Sequence, residues 1–271
     1  MKVNQKINLF PLGFLVLVLL SASAFSFRFE QSKTIISSKK QQPGNATAKI
    51  LTGAWRLVKT SDPARTAPNV VKIMVDGHFT AADYNLKDKA YIGAQGGTYT
   101  LNNGRYTENL EYFTTDSTKV GTNLAYNLSA KGNTLQLTRT QNGQNITETW
   151  ERIDAGGSAL TGAWRIRERE TQPGQMSVMQ RGPRKTIKWL SGKRFQWAAI
   201  NTETKQFFGT GGGTYTLKDG KYTENIEFFS RDSKRVGMSI SFDYEVKNGD
   251  WHHRGLSTTG NKIYEIWAKE K

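Results

Sequence analysis

From residue 50 onward the apolar positions of the chain fall into short runs with a period close to two, separated by Gly- and Asn-rich punctuation. Runs of this kind mark half-buried strands, because successive side chains of a strand point to opposite faces. In the second half they predict strands over 160–169, 184–191, 193–201, 206–217, 220–229, 236–246, 250–258 and 261–269, joined by turn signals such as "SGK", "KDG", "KNGD" and "STTGN". In the first half "NNG" and "KGN" stand in the equivalent places. Gly104 and Gly220 are positioned to supply the left-handed residue that closes a tight hairpin.

The pattern is written twice. "GGTYTLNNGRYTENLEYF" from Gly96 returns as "GGTYTLKDGKYTENIEFF" from Gly212, with 13 of 18 positions identical. "LTGAWR" at Leu51 returns at Leu160, Phe79 matches Phe195, and "ETWE" from Glu148 matches "EIWA" from Glu265. Landmarks kept in order and spacing identify a duplicated domain, with copies over 50–155 and 158–271. The one sizeable length change, in "RERETQPGQMSVMQRGPRK", reads as a basic loop of the second copy. Eight short strands per copy are the number that closes a small up-and-down barrel and so removes both sheet edges. The predicted fold is all-β, two tandem eight-stranded antiparallel up-and-down β-barrels, with a sandwich of the same strands as the alternative.

The N-terminus changes where this fold is expected to work. Lys2 and Lys6 precede an apolar run from Leu9 to Leu20, and Ala22-Ser23-Ala24 offers a small-x-small cleavage site. Residues 1–24 therefore read as a signal peptide and the polar residues 25–49 as a flexible linker, which predicts a secreted or periplasmic protein. An uncleaved membrane anchor is the alternative, disfavoured because the run is short against a span of roughly 20 residues. No cysteine is present, which excludes disulfides and thiolate metal sites. Residues 50–155 hold 11 basic against 10 acidic side chains, whereas 160–271 hold 20 against 12, so the basic surface belongs to the second copy. That surface could meet an acidic glycan, a lipopolysaccharide or membrane surface, or a protein partner, and export argues against nucleic acid.

Gly53-Ala54-Trp55 and Gly162-Ala163-Trp164 resemble the first-strand signature of the lipocalins, or calycins. His78-Phe79 with Gly96 to Phe113, and Arg194 to Trp197 with Gly212 to Phe229, are similar to a pattern in exported bacterial proteins called lipocalin-like. The resemblance implies that a basic residue of the last strand, Arg152 or Lys269, covers Trp55 or Trp164 and helps to shut the barrel.

Candidate chemistry is sparse. Alternation splits the repeated hairpin strand into Tyr106, Glu108, Leu110, Tyr112 and the opposite set, and in the second copy into Tyr222, Glu224, Ile226, Phe228. The first set is the more apolar and is predicted to face inward, which places one carboxylate beside a tyrosine in each barrel. Such a carboxylate needs a partner, a proton or a ligand. His78 corresponds to Arg194, and Ala81 to Trp197, so the two copies differ where a cavity wall is expected. His252 and His253 are adjacent, point to opposite strand faces and cannot chelate together. No Gly-x-Ser-x-Gly elbow or same-face carboxylate pair is present, so no metal, cofactor or catalytic residue is predicted. The expected function is non-enzymatic binding of a small, partly apolar or amphipathic ligand through Tyr106, Glu108, Tyr222, Glu224, His78, Arg194 and Trp197. The alternative is a surface interaction module built on the basic second copy.

Overall fold

The structure is a computed structural model that describes residues 50–63 and 65–271; the expected signal peptide and linker lie outside the described residues. The first copy contains β1(Gly53–Thr60), β2(Asn69–Val75), β3(His78–Asn85), β4(Ala90–Asn102), β5(Arg105–Phe113), β6(Asn123–Lys131), β7(Thr134–Gln141) and β8(Gln144–Asp154). Each strand pairs antiparallel with the next, and β8 returns to β1, so barrel 1 is closed. The second copy contains β9(Gly162–Gln172), β10(Gln175–Val178), β11(Arg184–Leu190), β12(Arg194–Asn201), β13(Gln206–Lys218), β14(Lys221–Phe229), β15(Ser239–Lys247), β16(Asp250–Leu256) and β17(Lys262–Lys269). Pairing of β17 with β9 closes barrel 2. The fold class is therefore the predicted one, and the sandwich is excluded by the two closures.

Barrel 2 departs from the prediction at the insertion. The stretch read as a basic loop forms a hairpin, with β10 pairing to the outer end of a lengthened β9 while β11 pairs to its inner end. Pro173-Gly174 makes the turn, Gly174 taking φ +77°.

The β4–β5 and β13–β14 hairpins turn on Asn103-Gly104 and Asp219-Gly220, all four with positive φ, the two-residue turn whose twist matches that of the strands. Along both hairpins the register shifts by one residue, between Gly96 and Gly97 and between Gly212 and Gly213. A Cβ on Gly97 or Gly213 would lie 2.0 Å from the carbonyl oxygen of Asn109 or Asn225, so the partner strand occupies the space of a side chain. This bulge corrects the strict alternation. One extra residue, Glu111 or Glu227, reverses the facing of those that follow. Leu110 and Ile226 still point into their barrels, but Tyr112 and Phe228, expected inside, lie on the outer wall.

There they join an apolar cluster shared by both barrels: Val71, Ile73, Tyr84 and Tyr112 against Ile187, Trp189, Ile200 and Phe228. Strand β2 is buried on both faces for this reason, which accounts for the nearly unbroken apolar run "NVVKIMV". Polar contacts frame the cluster. Lys185 Nζ donates to Glu111 at 2.7 Å, the Tyr84 hydroxyl donates to Glu227 at 2.5 Å, and Lys269 Nζ lies 3.1 Å from Asp76.

Candidate functional site

Lys72 lies between Val71 and Ile73, whose side chains face the other barrel, so alternation turns the lysine into its own barrel. Its ammonium donates to Glu108 Oε1 at 2.6 Å, and the Tyr106 hydroxyl donates to the same oxygen at 2.9 Å. Lys72 is 1% and Glu108 0% exposed. The ammonium is also boxed by rings, 4.7 Å from the centroid of Trp150 and 5.6 Å from that of Phe79. Barrel 2 repeats the arrangement. Lys188 Nζ donates to Glu224 Oε1 at 2.7 Å, Tyr222 to the same oxygen at 2.8 Å, and the Trp251 and Trp267 centroids lie 5.3 and 5.4 Å from the ammonium. Desolvation, then the adjacent carboxylate, pushes both tyrosines well above their ordinary pKa, so each hydroxyl keeps its proton and remains a donor.

The tyrosines and glutamates of this site were legible in the repeated hairpin, but the lysines were not. Their signal was a lysine 36 residues before the glutamate in both copies, hidden inside apolar runs. On the adjoining strands, where Trp55 pairs with Lys72 on one side and Arg152 on the other, Arg152 lies 4.1 Å from the Trp55 ring and donates to the Thr52 carbonyl at 2.6 Å. Lys269 lies 4.4 Å from the Trp164 ring and donates to the Thr161 carbonyl at 2.5 Å. Each cation thus ties the last strand to the residue just before the first.

Above this shared base the barrels differ. In barrel 1, Arg65, from the β1–β2 loop, lies 3.5 Å from Glu148, 3.4 Å from Asp83 and 5.9 Å from the Trp150 ring. Arg139 pairs with Asp62 at 3.1 Å beside it. These charges plug the mouth: the cavity there, about 270 Å³, is lined by Arg65, Asp83, Arg139 and Glu148, and neither Lys72 nor Glu108 reaches it.

In barrel 2 the plug is missing. The equivalent strand positions place Ala199 where barrel 1 has Asp83, and Gly255 where it has Arg139. The connection that carried Arg65 runs outward as the β9–β10 hairpin instead. Glu265, the counterpart of Glu148, is held by Arg169 at 2.7 Å. A cavity of about 480 Å³ results, walled by Trp197, Phe229, Phe242 and Trp267, and it reaches down to Lys188, Glu224, His253 and Glu265.

Two further exchanges shape this cavity. Trp197 replaces Ala81, and its cross-strand neighbour is Gly211 where barrel 1 has Gln95. A Cβ on Gly211 would lie 2.9 Å from the Trp197 indole nitrogen, so the glycine makes room for the ring. On β16, Trp251 and His253 stand in register where β7 has Leu135 and Leu137. His253 is 2% exposed, and neither ring nitrogen has a hydrogen-bond partner; Glu265 is its nearest charge at 3.6 Å. Burial, outweighing Glu265, holds its pKa below the ordinary histidine range. Burial also acts to raise Glu265, but His253, Arg169 and Lys188 outweigh it and hold that carboxyl well below its usual range.

Of the predicted ligand contacts, Glu224 and Trp197 line this cavity, and Tyr222 stands beneath Glu224. Tyr106 and Glu108 are sealed under the plug. His78 and Arg194 point elsewhere. His78 Nδ1 donates to the Asp76 carbonyl at 2.9 Å at the start of β3, while Arg194 crosses to the other barrel, donating to Tyr84 at 3.1 Å and pairing with Glu227. His252 meets Tyr264 at 2.8 Å, away from His253. Among the described residues no group of three or more histidines and carboxylates is arranged to hold a metal ion.

The architecture is that of a tandem pair of closed, eight-stranded, up-and-down antiparallel barrels. The chain belongs to the family described as "Domain of unknown function (DUF4488)", whose model matches it twice, over residues 50–157 and 159–271. No curated protein matches it. Solved structures similar to it include a lipocalin-like protein from Bacteroides uniformis ATCC 8492, 14% identical, covering 42% of this chain and 100% of that one with a TM-score of 0.30. Another is an uncharacterized protein from Bacteroides eggerthii DSM 20697, 14% identical, covering 40% and 98% with a TM-score of 0.28.

Proposed function

We propose that this is an exported, non-enzymatic binding protein whose second barrel holds a small, partly apolar ligand, while the first serves as its packed support. The observation that carries the reading is the difference above the common base: aromatic walls enclose an open cavity of about 480 Å³ in barrel 2, and charged side chains narrow the same place in barrel 1 to about 270 Å³. A concave site with aromatic walls and polar or charged groups at its floor and rim, within the roughly 300–1,000 Å³ usual for small ligands, has the form of a small-molecule site. Export rests on Lys2, Lys6, the Leu9 to Leu20 run and the cleavage site at Ala22 to Ala24; a mature protein beginning near Phe25 is the outcome that N-terminal sequencing checks.

The interaction-module alternative keeps the exposed Arg181 and Arg184, while the neighbouring lysines are engaged within the protein. Of the basic residues of the insertion and β11, Lys188 is buried against Glu224, Lys185 is held by Glu111, and Arg184 stacks 4.0 Å from the Phe208 ring.

Thr186 lines the cavity beside Lys188. A fluorescence titration of the full chain with the neutral dye N-phenyl-1-naphthylamine is expected to give one saturable site, abolished in Thr186→Trp, which fills the cavity. Absence of saturable binding in the wild type would overturn the reading, as would unchanged binding by a folded Thr186→Trp.

A further inference from the structure

We propose that the barrel 2 cavity takes a small amphipathic organic anion, its ring system among Trp197, Phe229 and Trp267, its acidic group at Arg231 and Lys262, and a hydroxyl or ring heteroatom on His253. This deepens the reading above and rests on it.

The charge at the mouth sets the orientation. Arg231 and Lys262 both line the cavity, and among the described residues neither has a carboxylate within ion-pair distance. Their counterparts in barrel 1 are Thr115 and Asn145, so these cations belong to the second copy alone. Arg231 is partly fixed: its Nε–H donates to the Phe208 carbonyl at 2.6 Å, and its guanidinium carbon lies 6.0 Å from the Trp197 centroid. The two terminal amino groups of the fork remain for an acceptor such as a carboxylate or sulfonate. The floor excludes the reverse orientation. Lys188 is already neutralised by Glu224 at 2.7 Å, and Glu265 stands close by, so an acid pushed to the bottom would meet two carboxylates.

What the floor lacks is a neutral hydrogen-bonding partner. His253 lines the cavity, is 2% exposed, and neither ring nitrogen makes a hydrogen bond, Nδ1 lying 3.6 Å from the Glu265 carboxylate. A buried polar group without a partner is costly and uncommon in native proteins, and barrel 1 avoids the cost with Leu137. A neutral imidazole presents one donor and one acceptor, which suits a hydroxyl or heteroatom and not a second charge. The aromatic walls between the two polar ends favour a planar apolar middle.

Three naphthalenes separate these elements, measured by isothermal titration calorimetry on the full chain: 6-hydroxynaphthalene-2-sulfonate, naphthalene-2-sulfonate and 2-naphthol. The first is expected to bind tightest, with at least a tenfold loss on removing either substituent. Arg231→Gln combined with Lys262→Gln should erase the advantage of the sulfonate and leave 2-naphthol within twofold. His253→Leu, which installs the residue barrel 1 already accommodates, should erase the advantage of the hydroxyl alone. Equal affinities across the three, or advantages that persist in these variants, would overturn this inference and leave the ligand-binding reading standing. Failure of all three together with N-phenyl-1-naphthylamine would overturn both, and binding that survives Thr186→Trp would place the anion site outside the cavity and overturn this inference.

Discussion

The two barrels share a base and differ at the mouth. Each buries a lysine, a glutamate and a tyrosine in one hydrogen-bonded group under aromatic rings. Over that base barrel 1 carries Arg65, Asp83 and Glu148, whereas barrel 2 carries a void that ends at His253. Because the base is the same in both, it explains how these barrels hold together and does not distinguish one from the other. The proposed binding function rests on the difference between plug and void.

The largest effects are expected at the buried lysines. Lys72→Met leaves Glu108 sealed without its cation, with its Oε2 already lacking a partner, and should cost about 3–5 kcal/mol of stability. Lys188→Met should cost roughly half of that, because Glu224 borders a cavity that water can enter. Denaturant unfolding checks both, and equal losses would mean that the two bases are equally sealed. A second and smaller effect is expected from Arg65→Ala. Losing its charged contacts to Glu148 and Asp83 should cost about 1–3 kcal/mol, and N-phenyl-1-naphthylamine should gain a second, weaker site in barrel 1. Unchanged stoichiometry would show that Arg65 is not the plug.

The smallest effect concerns acid. The pKa of His253 is lower in the fold than the ordinary 6.5, so below 6.5 the unfolded chain takes up a proton that the folded chain resists. Its contribution to stability is full above 6.5 and is lost as the pH falls from there through the folded value. Glu265 is depressed as well, and its contribution disappears in a lower window, beginning near its ordinary 4.5. His253→Leu should therefore flatten the stability profile just below pH 6.5 and leave the steeper acid limb in place. An unaltered slope below 6.5 would show that the imidazole is not held neutral by burial.

Much of this fold could be read from sequence because its signals are local: period-two runs, Gly turns and a repeat that keeps its spacing. The bulge at Gly97 and Gly213 was the place where local reasoning failed, since one unpaired residue moves Tyr112 and Phe228 from the inside to the shared outer cluster. The β9–β10 hairpin was misread as a loop although Pro173-Gly174 marks its turn, because the charged residues around it hide any apolar alternation. Two of the three residues of each buried base were legible in Tyr-x-Glu; the lysines were not, because a lysine flanked by apolar residues does not say which strand face is buried until the second barrel covers the other. The plug was invisible for a different reason. Arg65 lies in an irregular loop whose partners come from β3 and β8.

The most direct test of the account uses the indoles as reporters. Trp150 and Trp267 occupy equivalent strand positions and donate to equivalent carboxylates, Glu148 at 3.0 Å and Glu265 at 3.2 Å, but only Trp267 faces the open cavity. In two-dimensional ¹⁵N spectra of the full chain, saturation with N-phenyl-1-naphthylamine should shift the indole resonances of Trp197 and Trp267 and leave those of Trp55 and Trp150 in place. Movement of Trp150, or stillness of Trp267 at saturation, would contradict the division into one plugged and one open barrel.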